Sequence, residues 1–468
     1  MKTVVEPQLN LTALWGRYAD RAGKIFRLMR YVMRIDHEDK VLLHNVVTGQ
    51  LVALDESEAA LLEKLPSPFT DDFEPLIDHF FLVPMDYDEH QRVVGTRELL
   101  RKLEDKKAKP GITHYTIFPT TACNARCYYC FEQGCQKETM TEETANTVVE
   151  FIRTHCAGQK VWIRWFGGEP TVAANRIRQI CEGLHENGIE FSSKITTNGY
   201  LFDEALAEEA CSRWNLESAM ICVDGTEERY NRVKAYVNAQ GSAYQRVLKN
   251  IETLLAHGIR VNLRMNFDKQ NYHEFKDLLM EAKHRYKGNP LLDVYVHQIN
   301  GFYSNVDAGL IEGDEKWFGE QILELNKLSR NMGLLHKRIL LPHLDYRWCI
   351  AARDDAVTIL PRGDLVSCPE QMSRDQFKGD LEHGITNKDL VKYWKHFADY
   401  KKCQDCVLFP ECAKIRNCEG KDRCFYKLER INQIKDLVGA IYNTSVIDKK
   451  EGSYEHEIRG TEDGVCTR

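Results

Sequence analysis

Across residues 113–300, six short apolar runs alternate with amphipathic stretches, and this alternation limits the possible folds of the 468-residue chain more than any other feature. The runs are Tyr115–Phe118, Val161–Phe166, Phe191–Thr196, Ser218–Val223, Val261–Asn266 and Val294–Ile299. Their length and their β-branched and aromatic content predict strands. The stretches between them centre on Val148–Ile152, Ile177–Leu184, Leu206–Cys211, Val247–Leu255 and Phe275–Ala282, with helical spacing of apolar residues. Strands joined through helices make a parallel sheet with right-handed crossovers. Six such units are fewer than the eight that close a full barrel. The expected architecture is therefore α/β, a partial (β/α)6 barrel over residues 110–305, open on one side.

The flanks read differently. Residues 1–24 read as a short amphipathic helix or arm. Over residues 25–109 a small α+β domain is expected, with strands at 26–33, Val41–Leu43 and Leu51–Leu54, a turn at Thr48-Gly49, and helices at Glu56–Leu65 and Phe73–Phe81. The charged segment Arg97–Lys109 and Pro110-Gly111 mark a boundary. After the barrel, residues 306–348 carry a bridging helix near 314–332, residues 349–424 are loop-rich and cysteine-rich, and residues 425–468 form a C-terminal helix and a mobile polar tail.

Composition narrows the function. The net charge is −7 with 43% hydrophobic and 28% charged residues. That balance suits a globular protein and argues against a general nucleic-acid or membrane binder. No run reaches membrane-span length and the first residues lack a sustained apolar core, so a cytoplasmic location is expected. In a reducing compartment sixteen cysteines are not a disulfide framework, and their grouping favours metal ligation.

The first group, Cys123, Cys127 and Cys130, directly follows the first predicted strand. It therefore lies on the face where β/α barrels build active sites. Three thiolates are one short of filling a four-iron cluster and leave one iron open to a ligand. A structural zinc normally takes four ligands, and Cys135 is the nearest candidate for a fourth. Further along, Phe166-Gly167-Gly168-Glu169-Pro170 ends the second strand, Thr197-Asn198-Gly199 the third, Cys222-Val223-Asp224-Gly225 the fourth and Arg264-Met265-Asn266 the fifth. Paired glycines let backbone come close to a ligand, and a glutamate can accept from an ammonium.

Cys-x-x-x-Cys-x-aromatic-Cys in the first βα loop, followed in order by these motifs, resembles the signature of the radical SAM superfamily. The resemblance implies a TIM-like partial barrel, S-adenosylmethionine (SAM) and a [4Fe-4S] cluster on Cys123, Cys127 and Cys130. It assigns Tyr129, Gly167, Gly168, Glu169, Asn198, Cys222, Asp224 and Arg264 to the cofactor, with Glu169 at the SAM amino group and Arg264 at its carboxylate. Cys222 stands where the family usually has Ser. In that family the open iron chelates SAM, one electron breaks its S–C5′ bond, and the 5′-deoxyadenosyl radical takes a substrate hydrogen. A flavodoxin or ferredoxin-type donor is the implied electron source.

The second group runs Cys349, Gly363-x4-Cys368, Cys403-x2-Cys406-x5-Cys412, Cys418 and Cys424. It resembles the SPASM extension of peptide-modifying radical SAM enzymes, although five residues separate Cys412 from Cys418 where the pattern has three. The family order implies two auxiliary [4Fe-4S] clusters, three in all. One would sit on Cys403, Cys406, Cys412 and Cys424. The other, on Cys349, Cys368 and Cys418, would have an open iron unless Cys466 closes it. Residues 25–109 resemble the winged-helix-like leader-recognition element of ribosomal-peptide modifying systems. There an extended leader adds a strand to a sheet edge, here 26–33 with Arg27, Arg30 and Arg34 facing an acidic leader. The expected function is a maturase that binds a ribosomal precursor peptide and forms thioether cross-links from Cys. A carbon–carbon cross-linking maturase, a sulfatase-type maturase making formylglycine and a zinc-stabilised scaffold remain as alternatives. Cys156, Cys181 and Cys211 fall in predicted helices as ordinary apolar residues.

Overall fold

The structure is a computed structural model describing residues 1–18, 20–107, 109–286, 288–299, 315–336, 341–346, 349–395, 401–412 and 425–451. It divides into two units, one of Met1–Ala108, Arg338–Cys349 and Phe397–Arg468, the other of Lys109–Lys337 and Ile350–His396. Among the described residues no helix is long and apolar enough to cross a membrane.

The first unit begins with β1 (Lys2–Val5), α1 (Leu11–Trp15), β2 (Ile25–Leu28), β3 (Val32–His37), β4 (Lys40–Asn45), β5 (Leu51–Leu54) and α2 (Glu56–Leu62). It continues with β6 (Ser67–Pro68), α3 (Glu74–Asp78), β7 (Leu82–Pro84) and α4 (Glu89–Lys107). The strands form two sheets, ordered β1-β5-β4-β3 and β6-β2-β7. Residues 1–24 are not a loose arm. β1 pairs with β5, Leu11 and Trp15 are buried, and the Trp15 indole donates to Thr96 at 2.7 Å. The expected strand 26–33 is also corrected, because Met29 to Tyr31 turn the chain and separate β2 from β3. β2 lies between β6 and β7 with both edges paired, whereas β3 ends its sheet. Alternation explains the two cores. Leu43, Val52 and Leu54 enter one apolar cluster; Met33, Ile35, Leu42, Leu51 and Ala53 enter another.

In the second unit β8 (His114–Thr120), α5 (Glu142–His155), β9 (Val161–Gly167), α6 (Ala174–Glu186), β10 (Phe191–Thr197) and α7 (Glu204–Ser212) come first. Then follow β11 (Leu216–Val223), α8 (Glu227–Lys234), α9 (Ala243–Ala256), β12 (Arg260–Phe267), α10 (Phe275–Tyr286), β13 (Leu292–Gln298) and α11 (Glu315–Asn331). β8 to β13 are parallel neighbours in chain order. Thr141, Asp203 and Ser242 cap the helices that follow them. The helices bury Val148, Ile152, Ile177, Leu184, Ile251 and Leu254 against Ile163, Trp165, Ile195 and Ile221 on the strands.

The region 349–424 falls in both units. β14 (Ala356–Ile359) pairs in parallel with β8, and β15 (Asp364–Val366), β16 (Phe377–Asp380) and β17 (Gly384–Ile385) extend the same sheet antiparallel. α12 (Lys388–Lys395) closes this stretch. The β8 edge of the sheet offers unpaired backbone groups, and β14 satisfies them. Residues from Phe397 onward, with α13 (Phe425–Glu451), belong to the first unit, where Ile434 and Val438 pack on the Met33/Ile35/Leu42 core. Of the expected bridging segment α11 is described; residues 300–314 and the tail 452–468 lie outside the described residues.

Candidate active site

Cys123, Cys127 and Cys130 stand on the loop after β8, each thiol half-buried, with Cys123 and Cys127 against the core of the unit. Burial pushes the Cys123 thiol up to about 11 and Cys130 up to about 12, and raises Cys127 as well. Thiolates in this setting call for a strong local cation, which is what iron supplies. Among the described residues no three His, Cys, Asp or Glu side chains converge on a single-ion site, and Cys135, the fourth-ligand candidate for zinc, is exposed.

The loop after β9 is moulded against this one. Glu169 N donates to Ala122 O at 2.9 Å and Gly168 N to Thr120 O at 3.2 Å. Gly167 has φ +118°, and a Cβ on it would stand 2.3 Å from Thr120 O. A Cβ on Gly168 would stand 2.5 Å from both Thr121 O and Ala122 O. The paired glycines therefore let two backbones touch. The Glu169 side chain is buried and accepts four hydrogen bonds, from Thr171 N (3.1 Å), Thr171 Oγ1 (2.5 Å), Thr197 Oγ1 (2.7 Å) and Asn198 N (2.6 Å). Burial raises its pKa against these donors. Three of these donors meet Oε1 and one meets Oε2, and they come from both loops, so Glu169 ties the β9 and β10 loops together. Asn198 Nδ2 then donates to Asn124 Oδ1 at 2.7 Å, which reaches the cysteine loop.

A buried polar network holds the other side. Lys234 Nζ lies 2.8 Å from Asp224 Oδ2 and donates to the Tyr129 hydroxyl at 2.9 Å. The Tyr129 hydroxyl donates to Asp224 Oδ2 at 2.7 Å, and Asn266 Nδ2 to Asp224 Oδ1 at 2.7 Å. Burial raises the Tyr129 pKa well above its ordinary value, so the phenol stays a donor. The backbone follows, Arg126 N donating to Lys234 O at 2.7 Å and Val237 N to Asn124 O at 2.8 Å. Next to it Tyr128 donates to Asp268 at 2.6 Å, and Arg229 pairs with Asp268 at 3.2 Å. Cys222 and Arg264 are register partners on β11 and β12, and Arg264 Nε donates to Asn266 Oδ1 at 2.6 Å.

Thus Tyr129, Gly167, Gly168, Glu169, Asn198, Asp224, Cys222 and Arg264 all lie in the strand ends and loops of β8 to β12. Sequence reading missed Lys234, which follows Asp224 by a helix and carries no local signal. It also missed Glu132, whose two carboxylate oxygens are buried without a hydrogen-bond partner and whose pKa burial lifts to about 8.

The second cysteine group is divided. Cys368, buried, follows β15 in the second unit, and Gly363 makes the β14–β15 turn with φ +95°. Cys349, Cys403, Cys406 and Cys412 belong to the first unit. Cys403, Cys406 and Cys412, each half-buried, pack against the Leu43/Val52/Phe409 core. Cys418, Cys424 and Cys466 lie outside the described residues.

Comparison with known proteins adds the decisive observation, because residues 117–282 match the model of the radical SAM superfamily. The chain carries a radical SAM domain. Such a domain implies SAM and a [4Fe-4S] cluster, and the residues above fit both. The Fe-coproporphyrin III synthase of Methanosarcina barkeri is 26% identical over 167 residues, 35% of this chain and 40% of that protein, so the likeness spans less than half of it. Two solved structures share the fold. One is anSMEcpe with bound AdoMet and Cp18Cys peptide, with a TM-score of 0.54, 15% identity, and 73% of this chain and 99% of that chain covered. The other is SuiB of Streptococcus suis bound to precursor peptide SuiA, with a TM-score of 0.50, 14% identity, and 83% and 94% covered.

Proposed function

We propose that this protein is a radical SAM maturase that acts on a ribosomal precursor peptide and forms intramolecular thioether cross-links from its cysteines. The observation that carries the reading is the three-thiol loop of Cys123, Cys127 and Cys130 set on parallel strand ends, together with a second thiol set at Cys403, Cys406 and Cys412. Solved structures that share the fold were obtained with peptides, which supports a peptide substrate. When bound, the cofactors supply the 5′-deoxyadenosyl radical that removes one hydrogen and the electron sink that lets a thiol sulfur close on carbon. The chain's own residues bind and orient. Gly167 and Gly168 let the loop backbones approach, Glu169 and Asn198 fix the loops, Tyr129 and Asp224 hold the cluster loop, and Arg264 takes the SAM carboxylate. Cys403, Cys406 and Cys412 would hold an auxiliary cluster.

The leader adds to β3, the end strand of its sheet, through main-chain bonds. All three arginines of this region already have acidic partners, Arg30 pairing with Asp405 at 3.1 Å. Arg27 pairs with the buried Glu89 at 2.7 Å, and Arg34 with Glu63. Co-expression with a Cys-containing candidate precursor peptide from a neighbouring gene tests the reading by mass spectrometry. A loss of two hydrogens per cross-link, at a Cys that resists alkylation, is expected. An unchanged peptide mass, or a two-hydrogen loss that leaves every Cys alkylatable, refutes the thioether; the latter would favour carbon–carbon cross-linking.

A further inference from the structure

The loop that carries Cys403, Cys406 and Cys412 is held from within the first unit by side chains of the N-terminal domain. Arg97, 3% exposed, donates from Nη2 to Phe409 O at 2.8 Å and to Pro410 O at 2.7 Å, and from Nε to Asp345 O at 2.9 Å. Asp345 N in turn donates to Pro410 O at 2.9 Å. The Arg97 guanidinium lies over the Phe409 ring, 5.2 Å from its centroid, and Tyr31 stacks on the same ring at 5.9 Å. The Tyr31 hydroxyl donates to Gln404 O at 2.9 Å, one residue past Cys403. Within the loop, Cys406 N donates to Cys403 O and Cys412 N to Leu408 O, each at 3.0 Å.

The physical reason is backbone accounting. A carbonyl oxygen has two acceptor sites; Phe409 O and Pro410 O each accept one backbone N–H, from Cys412 at 3.3 Å and Asp345 at 2.9 Å, and Arg97 supplies the second donor to both. An arginine fork carries five donors in fixed geometry, so a single side chain can serve three carbonyls from two chain segments. A lysine offers three donors on a flexible stem and cannot reproduce the planar fork. The buried guanidinium bonds Phe409 O and Pro410 O, three and two residues before Cys412. A buried cation there favours the more negative, reduced form of a thiolate-held cluster.

We propose that Arg97, assisted by Tyr31, is the positioning residue for an auxiliary iron–sulfur loop, so that the N-terminal domain is the scaffold of that cluster as well as the leader site. This rests on Cys403, Cys406 and Cys412 being iron ligands. The test uses the full chain, reconstituted anaerobically, with Cys123, Cys127 and Cys130 replaced by Ala so that only auxiliary iron remains. Iron per chain, the rate of iron release to a ferrous chelator and the reduction potential are measured in this parent and with Arg97→Met, Arg97→Lys and Tyr31→Phe added. The parent is expected to hold about eight irons, two cubane clusters by analogy, and Arg97→Met to lose about four of them. Arg97→Lys should keep the iron but release half of it roughly tenfold faster, the factor that about 1.4 kcal/mol gives. Tyr31→Phe should accelerate the same half by a smaller factor. Any cluster retained in Arg97→Met should have a lower potential than in Arg97→Lys. A parent without iron overturns the ligand assignment instead. A parent with iron, and variants with its iron count and release rate, overturn the role of Arg97. If Arg97→Met fails to fold, unchanged release in both Arg97→Lys and Tyr31→Phe overturns it.

Discussion

Replacing Lys234 by Met gives a measurable estimate of how firmly the cysteine loop is held. Asp224 and Lys234 are 1% and 3% exposed and 2.8 Å apart. Removing one partner of a buried ion pair costs about 3–5 kcal/mol, because the remaining charge loses its compensation. Asp224 keeps the Tyr129 hydroxyl and the Asn266 amide, both at 2.7 Å. These bonds put the expected cost at the low end, about 3 kcal/mol. At about 1.4 kcal/mol per factor of ten, that is roughly a 150-fold larger opening equilibrium. Hydrogen exchange reads it directly, since the Arg126 and Val237 amides donate across this junction to Lys234 O and Asn124 O. Both amides should exchange roughly 150-fold faster in Lys234→Met, while amides in α5 stay protected as in the wild type. Neutralising both partners, in Asp224→Asn with Lys234→Met, should recover about 2 kcal/mol, since adjacent sites couple by about 0.5–3 kcal/mol. The reasoning is refuted if Lys234→Met shifts these amides by less than about fivefold, about 1 kcal/mol, or if the double variant is no more protected than the single one.

Two further outcomes follow from other parts of the structure. Gly168→Ala puts a methyl 2.5 Å from two carbonyl oxygens; it should destabilise the protein by about 1–3 kcal/mol and reduce the iron retained after desalting, and wild-type melting with wild-type iron would count against the loop contact. His44 is fully buried in β4, and burial lowers its pKa to about 4 from 6.5. The fold therefore keeps it neutral. Its contribution, about 3 kcal/mol from that difference, is present above pH 6.5 and lost as pH falls toward 4. Urea midpoints from pH 7 to pH 4 should fall more steeply in the wild type than in His44→Gln, and parallel profiles would contradict this sign.

How far the sequence could be read depended on how local each signal is. Each of the six apolar runs at 115–299 overlaps a strand of the parallel sheet, because a buried parallel strand is a short, continuous apolar segment wherever it occurs. The cysteine loop stands out for a similar reason: three thiols within eight residues are a local pattern with few uses other than metal. The N-terminal domain was less legible. Residues 26–33 alternate well enough for one strand, yet Met29 and Tyr31 are buried in a turn that sends β2 and β3 into different sheets. Alternation cannot show which neighbour a strand will pair with.

The sequence by itself pointed to the radical SAM domain and to the elements that build it, since the cysteine spacing, the paired glycines and the βα alternation are properties of adjacent residues. Only the tertiary structure decided what holds those parts in place. Lys234 meets Tyr129 across 105 positions, Arg97 meets Phe409 across 312, and β14 pairs with β8. The tertiary structure also gave Glu169 its partners, the donors of two loops. Such contacts leave no periodic trace, because burial and hydrogen-bond satisfaction are set by residues that meet only after the chain has folded.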